Sequence, residues 1–385
     1  MVVLQKTEQK PVTILDARVI AGSGGGPDKT IINSPRYLQS AGYRMLCAYM
    51  HSSRDAGFEK LRDKARDKQT ELLSVHDEGP LDYRVVPRML KICREQQVDI
   101  WHGHDYKTNA LGLLLKRFHP MRLVTTLHGW VHNTHRTPLY YRIDQLTLRY
   151  YEKVICVSED LYKLARQAGV PATRCELLEN GIDLEDYKRR KSITEAKEEL
   201  GFRTDRLLIG ACGRLSAEKG FDILIAAVGH LLQNFPFVEL AIVGEGEEKA
   251  KLEQIIRDWS LQDHVKLLGY RSDVPQLYEA FDIFALSSHR EGLPNVVLEA
   301  MATEVPVVAT AVNGVPKLIR EGENGLLVRA GQVEDLREAL QRLVEEASLR
   351  QRLGSRARQT VENEFSFAKR MDKLRRMYDR MLARK

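Results

Sequence analysis

The chain has 385 residues, 43% apolar and 7% aromatic, enough for two separately cored globular domains. Its 59 basic and 53 acidic residues leave a net charge of +6, too mild and too dispersed for a nucleic-acid binder but compatible with an anionic substrate or an anionic lipid surface. The five cysteines, Cys47, Cys93, Cys156, Cys175 and Cys212, are odd in number and include no CxxC pair, which points to a reducing, cytoplasmic compartment. The first ten residues carry charge and lack the apolar core of a signal peptide. No uncharged run reaches the ~18 residues of a membrane span, and no internal repeat indicates a solenoid.

In chain order, Val12 to Leu15 reads as a first strand, followed by the glycine-rich Gly22-Ser23-Gly24-Gly25-Gly26-Pro27 and a helix from Asp28 to Ala41. Glycines let backbone amides approach a ligand closely, although this is not the GxGxxG dinucleotide pattern, and a plain surface loop has the same composition. Further strands are expected at 43–50, 71–75, 98–102, 123–127 and 154–157, with helical spacing at 83–96 and 107–118 and a helix cap at Ser158. Such alternation predicts a mostly parallel sheet with helices on both faces. The stretch 60–68, five basic residues with two aspartates, reads as a solvated helix face, with membrane contact as the alternative. His102, His104, His128, His132 and His135 have neither HExxH spacing nor a nearby cysteine pair, so no metal site is expected. His128 and His104 stand just past strand ends, where a loop can aim a side chain at a ligand.

Asn180-Gly181-Ile182-Asp183 and the charged stretch 188–191 mark a passage to a second domain, opened by a strand at 207–212. It runs into Gly213-Arg214-Leu215-Ser216-Ala217-Glu218-Lys219-Gly220. Two cations five residues apart ahead of a helix can both reach one diphosphate, the arginine as a planar fork and the lysine as a compact charge. Strands follow at 238–243 and 265–268, the latter leading to Gly269-Tyr270-Arg271. The run 281–286 then enters Ser287-Ser288-His289-Arg290-Glu291-Gly292-Leu293-Pro294-Asn295, with a helix starting at Pro294 and carrying Glu299 one turn in. A helix start at the carboxyl end of a strand favours an anion, and Glu299 suits neutral hydroxyls such as those of a ribose. The competing reading makes Glu291 and Glu299 ordinary solvated charges. Strands at 305–309 and 324–328 and a helical tail from Val333 complete the chain.

EGLPNVVLEA, with seven residues between its glutamates, resembles the E-x7-E signature of the retaining GT-B glycosyltransferases of family GT4. GRL-x-x-EKG, HGW at 128–130 and NGID at 180–183 fall in the same family's order. The resemblance implies a GT-B architecture, two Rossmann-like doubly wound α/β domains facing across a cleft. Residues 1–187 would form the acceptor domain and 188–365 the nucleotide-sugar domain, with a helix at 366–385 crossing back to the first. It implies donor binding by Gly24, Gly25, Gly26, Arg214, Lys219, Tyr270, Gly292, Leu293, Pro294, Asn295 and Glu299, with Leu268 and Arg271 near the base. His128, Glu291, Arg214 and Lys219 would act in catalysis. The implied activity is retaining transfer of a hexose from a UDP- or GDP-type sugar to a hydroxyl of a carbohydrate or lipid-linked acceptor, as in surface polysaccharide synthesis. No metal or other cofactor is required, and a lipid acceptor would bring peripheral contact with the inner face of the plasma membrane. A GT-B-fold sugar-nucleotide epimerase and an inactive GT-B scaffold are the alternatives.

Overall fold

The computed structural model describes residues 10–20, 22, 24–55, 57–128 and 137–383, the side chains of 137–141 and 143 excepted. Ser23, Gly129, Trp130, His132 and His135 therefore lie outside the described residues. The chain divides into two compact units, residues 1–179 with 370–385, and residues 180–369.

Among the described residues, the first unit is built on a seven-stranded sheet of β1 (Val12–Val19), β2 (Tyr43–His51), β3 (Leu72–His76), β4 (Ile100–Gly103), β5 (Arg122–Leu127), β6 (Lys153–Cys156) and β7 (Cys175–Leu177). The order is β3-β2-β1-β4-β5-β6-β7 and every pairing is parallel. The second sheet holds β8 (Leu207–Cys212), β9 (Val238–Val243), β10 (Val265–Leu267), β11 (Ile283–Leu286), β12 (Val307–Thr310) and β13 (Leu326–Val328), in the order β10-β9-β8-β11-β12-β13. Both are doubly wound, and in both the order reverses at the first strand, between β1 and β4 and between β8 and β11. Ligands of open α/β sheets bind outside the carboxyl ends of the strands at such a switch point.

The strands obey the rule for sheets covered on both faces. Every residue of β8, β9, β11 and β12 is buried, which is why these segments read as mainly apolar runs rather than alternating ones, with Glu239 of β9 paired to Arg206 at 3.1 Å. Residues of β8 and β9 divide between two cores, one packed against the helices Phe221–Leu231 and Val333–Glu345, the other against Val274–Ala280 and Asn295–Ala302. Gly210 in β8 has no room for a side chain, since a Cβ there would lie 2.2 Å from the Phe281 ring. Caps set the helix starts. Ser158 accepts from the Leu161 amide, Asp105 from Thr108, and Ser192 from Glu195.

Several boundaries differ from the sequence reading. β1 runs on to Val19, close to the glycine-rich stretch, and the next helix already begins within that stretch at Gly26. The helix expected at 28–41 breaks into Gly26–Asn33, Pro35–Leu38 and a 3-10 turn at Gln39–Ala41, because Pro35 supplies no amide to continue the first helix. The three-residue β7 was not expected at all. The helix expected from Pro294 is Asn295–Ala302, with Pro294 as its cap residue in extended conformation. The tail is Val333–Glu345, Ala347–Thr360, a π turn at Val361–Phe365 and Phe367–Ala383. No helix among the described residues is long and apolar enough to cross a membrane.

Candidate functional site

At the switch point of the second sheet, the loop after β8 meets the loop after β11. Their backbones are bolted together. The Ser287 hydroxyl donates to the Lys219 carbonyl at 2.9 Å, and the His289 amide donates to the Glu218 carbonyl at 2.8 Å. The Thr310 hydroxyl, at the end of β12, donates to the Ser288 carbonyl at 2.6 Å. Gly220 turns this corner with φ +58, and a Cβ there would strike the Ser287 carbonyl oxygen at 2.4 Å. Such close approach at a left-handed residue explains the glycine.

The scaffold sets Lys219 on Glu291. Lys219 Nζ lies 2.7 Å from Glu291 Oε1, with the lysine side chain 24% and the glutamate 9% exposed. The Ser288 hydroxyl donates to the same oxygen at 2.6 Å. Gly292 follows in open space, where a Cβ would meet nothing. A Cβ on Gly314 would meet the Gly292 carbonyl at 2.1 Å, so the 313–316 segment presses on the Glu291–Pro294 loop from behind. Leu293 is half-buried and Pro294 buried against the core. Beyond them the amides of Asn295 and Val296 open a helix, and amides of a first turn have no intrahelical carbonyl to meet.

Arg214 stands apart from this pair. Its side chain is 67% exposed and pairs with Glu247, Nη2 to Oε2 at 3.0 Å. Its loop is fixed against the loop after β9: the Leu215 amide donates to Glu245 and the Glu248 amide to Leu215, both at 2.9 Å, and a Cβ on Gly244 would strike the Gly213 carbonyl at 1.8 Å. The two cations thus face different carboxylates rather than each other. Tyr270 is exposed after β10, Leu268 half-buried, and Arg271 pairs with Asp273. Glu299 is only 3% exposed, so it is no ordinary helix charge. The Tyr278 hydroxyl donates to Glu299 Oε2 at 3.1 Å, and Tyr187 hydrogen-bonds the same carboxylate. Burial and that neighbouring charge push both tyrosine hydroxyls well above the usual range. A carboxylate has room for about four hydrogen bonds, so the tyrosines leave acceptor capacity over.

In the first unit the glycine-rich loop is closed by its own chain. The Gly25 amide donates to Asp28 Oδ2 at 2.7 Å, Asp28 is buried, and its other oxygen meets Arg18 Nε at 2.7 Å. Gly24 has φ +81, and Gly26 opens the helix. At that sheet's switch point stands a group the sequence did not foretell. Asp16 on β1 is 2.6 Å from His104 Nε2, and His104 Nδ1 is 3.0 Å from His128 Nε2. His102 on β4 meets the Tyr378 hydroxyl at 2.8 Å and the Thr126 hydroxyl at 2.7 Å. Burial raises the Asp16 carboxyl to about 6, partly opposed by His102 and Arg370, and lowers His102 to about 3. It holds His104 and His128 well below the ordinary histidine range. His104, which its place after a strand offered as a ligand contact, is buried with both ring nitrogens engaged. His128 is half-buried.

Asp16, His102 and His104 are, among the described residues, the one group whose ligand atoms gather closely enough for a metal ion. Their chemistry does not fit one. Both nitrogens of His102 and of His104 are engaged in hydrogen bonds. The buried Arg370 guanidinium already supplies positive charge, lowering Asp16, His102 and His104 alike.

Comparisons with known proteins agree along the chain. Residues 24–186 match the family model "Glycosyltransferase Family 4" and residues 192–360 match "Glycosyl transferases group 1". The chain is 26% identical over 314 residues to the Escherichia coli UDP-Gal:alpha-D-GlcNAc-diphosphoundecaprenol alpha-1,3-galactosyltransferase, covering 79% of this chain and 81% of that protein. It is 25% identical to a D-inositol 3-phosphate glycosyltransferase of Corynebacterium aurimucosum, covering 93% of this chain and 91% of that protein. Among solved structures, Anabaena HepE in complex with UDP-glucose superposes with a TM-score of 0.80 at 24% identity over 95% of this chain and 99% of that one. A Rickettsia africae glycosyltransferase superposes with a TM-score of 0.81 at 19% identity over 98% and 100%. At these identities the structural likeness is one of fold, and it is the expected pair of Rossmann-like domains.

Proposed function

The chain belongs to the GT4-type glycosyltransferases, as an enzyme of the hexosyltransferase type, and from that premise we propose that it moves a hexose from a UDP- or GDP-sugar to a hydroxyl acceptor with retention of configuration and without a metal. The observation that carries this reading is the Lys219–Glu291 pair at the second switch point, beside the helix start at Asn295. When the glycosidic bond breaks, negative charge develops on the departing diphosphate. Lys219, Arg214 and the amides of Asn295 and Val296 would meet that charge, which costs less when the donors are already in place. Glu291, released from Lys219 as the phosphate takes its place, would accept hydrogen bonds from sugar hydroxyls. Glu299, held by Tyr187 and Tyr278, would accept from the ribose. Tyr270, with its exposed ring, would stand near the base.

Support for a UDP-sugar comes from the names of the Escherichia coli relative and of the HepE complex. The first also supports a lipid-linked diphosphate sugar as acceptor, and the name of a Staphylococcus aureus relative supports a role in polysaccharide synthesis. A thermal-shift screen with UDP, GDP, ADP and their sugar conjugates tests the reading, because a ligand that favours the native form raises its melting temperature. One nucleotide class should raise it, and its sugar conjugate should be consumed only when an acceptor is present. Conversion of the sugar nucleotide alone would mark an epimerase, and no response to any nucleotide would mark an inactive scaffold.

A further inference from the structure

The line Asp16–His104–His128 has a direction. Above about pH 6 the Asp16 carboxyl is ionised and can only accept. His104 Nε2, 2.6 Å away, must therefore carry a proton and donate. Burial keeps His104 neutral, so its Nδ1 has a lone pair and no proton. That nitrogen lies 3.0 Å from His128 Nε2, which must then be the donor. His128 is neutral as well, for the same reason, so its remaining nitrogen, Nδ1, is a bare acceptor. Among the described residues Nδ1 makes no hydrogen bond, and the residue is half-buried. His102 does not compete for the carboxylate. It stands 3.3 Å from Asp16 Oδ1 and has nearer partners of its own in Tyr378 and Thr126.

We propose that Asp16 and His104 are positioning residues that lock His128 in its Nε2–H form, so that His128 offers Nδ1 as an acceptor to a substrate hydroxyl. The proposal rests on the transferase reading for its substrate, a neutral hydroxyl of the hexose. It does not rest on it for the lock. A histidine held this way cannot donate from Nδ1 to a phosphate oxygen. It recognises a group that gives a proton, which a sugar hydroxyl does and a diphosphate does not. The lock suits the place beside the donor sugar that the HGW resemblance implies for His128. Tyr378 and Thr126 hold His102 alongside, with the His102 and His104 rings stacked at 4.5 Å between centroids, and this wall keeps His104 from turning over.

The test begins on the ligand-free full chain. Two-bond proton–nitrogen correlation spectra of the histidine rings at pH 7.5 distinguish the two neutral forms. His128 should show the Nε2–H pattern. An Nδ1–H or doubly protonated ring in the unaltered protein overturns the lock. In His104→Phe, which removes the acceptor, the His128 pattern should become mixed. In His104→Asn, whose side-chain oxygen can stand near the lost Nδ1, it should return. An unchanged pattern in the first variant, or no return in the second with the fold intact, also overturns it. In turnover with a sugar nucleotide that the screen identifies, His104→Phe should lower kcat about tenfold, one hydrogen bond's worth. His104→Asn should recover most of it, and affinity for the free nucleoside diphosphate should not move in either. Unchanged kcat with a scrambled His128 would overturn the assigned role while leaving the lock standing. Absence of any nucleotide binding would sink the transferase reading alone, since the spectra decide the lock without substrate.

Discussion

The two sheets share one topology, yet their switch points are furnished in opposite ways. Between β1 and β4 the first unit collects imidazoles that burial holds in their neutral form, linked by hydrogen bonds to one another and to a buried carboxyl whose pKa burial raises. Between β8 and β11 the second unit keeps full charges: a lysine on a glutamate, with an arginine on another glutamate close by in sequence. Neutral imidazoles chained to one buried carboxylate are suited to fixing the direction of a single hydrogen bond. Charged pairs with exposure left to them are suited to exchange, because an incoming anion can replace the carboxylate on each cation at little net cost in desolvation. On the proposed reading the same crossover would serve orientation in one unit and charge in the other.

The sharpest way to break this comparison is to remove charge from the second site. Lys219→Ala should lower kcat/KM by roughly 30- to 1000-fold, the range for losing one charge-assisted contact to a developing anion. The fold should survive, and circular dichroism with a thermal melt checks that the loss is local. Turnover near normal would remove the lysine from the reaction.

The next effect tests the scaffold under the charges. Gly220→Ala forces a Cβ to within 2.4 Å of the Ser287 carbonyl at φ +58. It should cost about 1–3 kcal/mol in denaturant unfolding, and nucleotide affinity should fall because Lys219 and Glu291 hang on that contact. An alanine variant as stable as the parent would mean the two loops are not bolted as described.

The neutral site has its own signature, in pH. His102 is held at about 3 against an ordinary 6.5, so its neutral form contributes stability above pH 6.5 that is lost as pH falls toward 3. His104 and His128 shift in the same sense. Asp16, raised from 3.8 to about 6, works the other way, favouring the fold as pH falls from 6 to 3.8. Three histidines against one carboxyl give a net loss on acidification. For His102 alone it amounts to about 2 kcal/mol between pH 6.5 and 5. The melting temperature should fall over that interval, and His102→Gln should flatten the slope. A profile that rises toward pH 5 would contradict the neutral assignment.

The smallest effect is on stability at Arg214. Its pair with Glu247 is solvated, so Arg214→Ala should leave the melting temperature of the free protein unchanged. It should still weaken nucleoside diphosphate binding, measured by calorimetry. If the free protein melts earlier instead, the arginine is a structural residue.

The charged site was largely legible in the sequence and the neutral one was not, for a physical reason. Lys219, Glu291 and Glu299 lie in compact stretches whose spacing, glycines and flanking strands state their setting. Asp16 sits inside an apolar strand 88 positions from His104, and nothing local marks it as a partner. His104 and His128 were visible as residues past strand ends, but only parallel pairing of β4 with β5 stacks them side by side. Thr310, Tyr187 and Tyr278 escaped for the same reason: each matters through hydrogen bonds to residues distant in sequence. In the fold, strands buried on both faces announced themselves as apolar runs. The three residues of β7 were too few, and Pro35 divided a helix whose periodicity looked continuous.

The most direct measurement is a crystal structure with the nucleoside diphosphate that most raises the melting temperature. The account predicts phosphate oxygens within hydrogen-bonding distance of Lys219 Nζ and of the amides at Asn295 and Val296, the ribose on Glu299, and the Lys219–Glu291 contact opened. A nucleotide bound elsewhere, or bound with Lys219 still closed on Glu291, would contradict it.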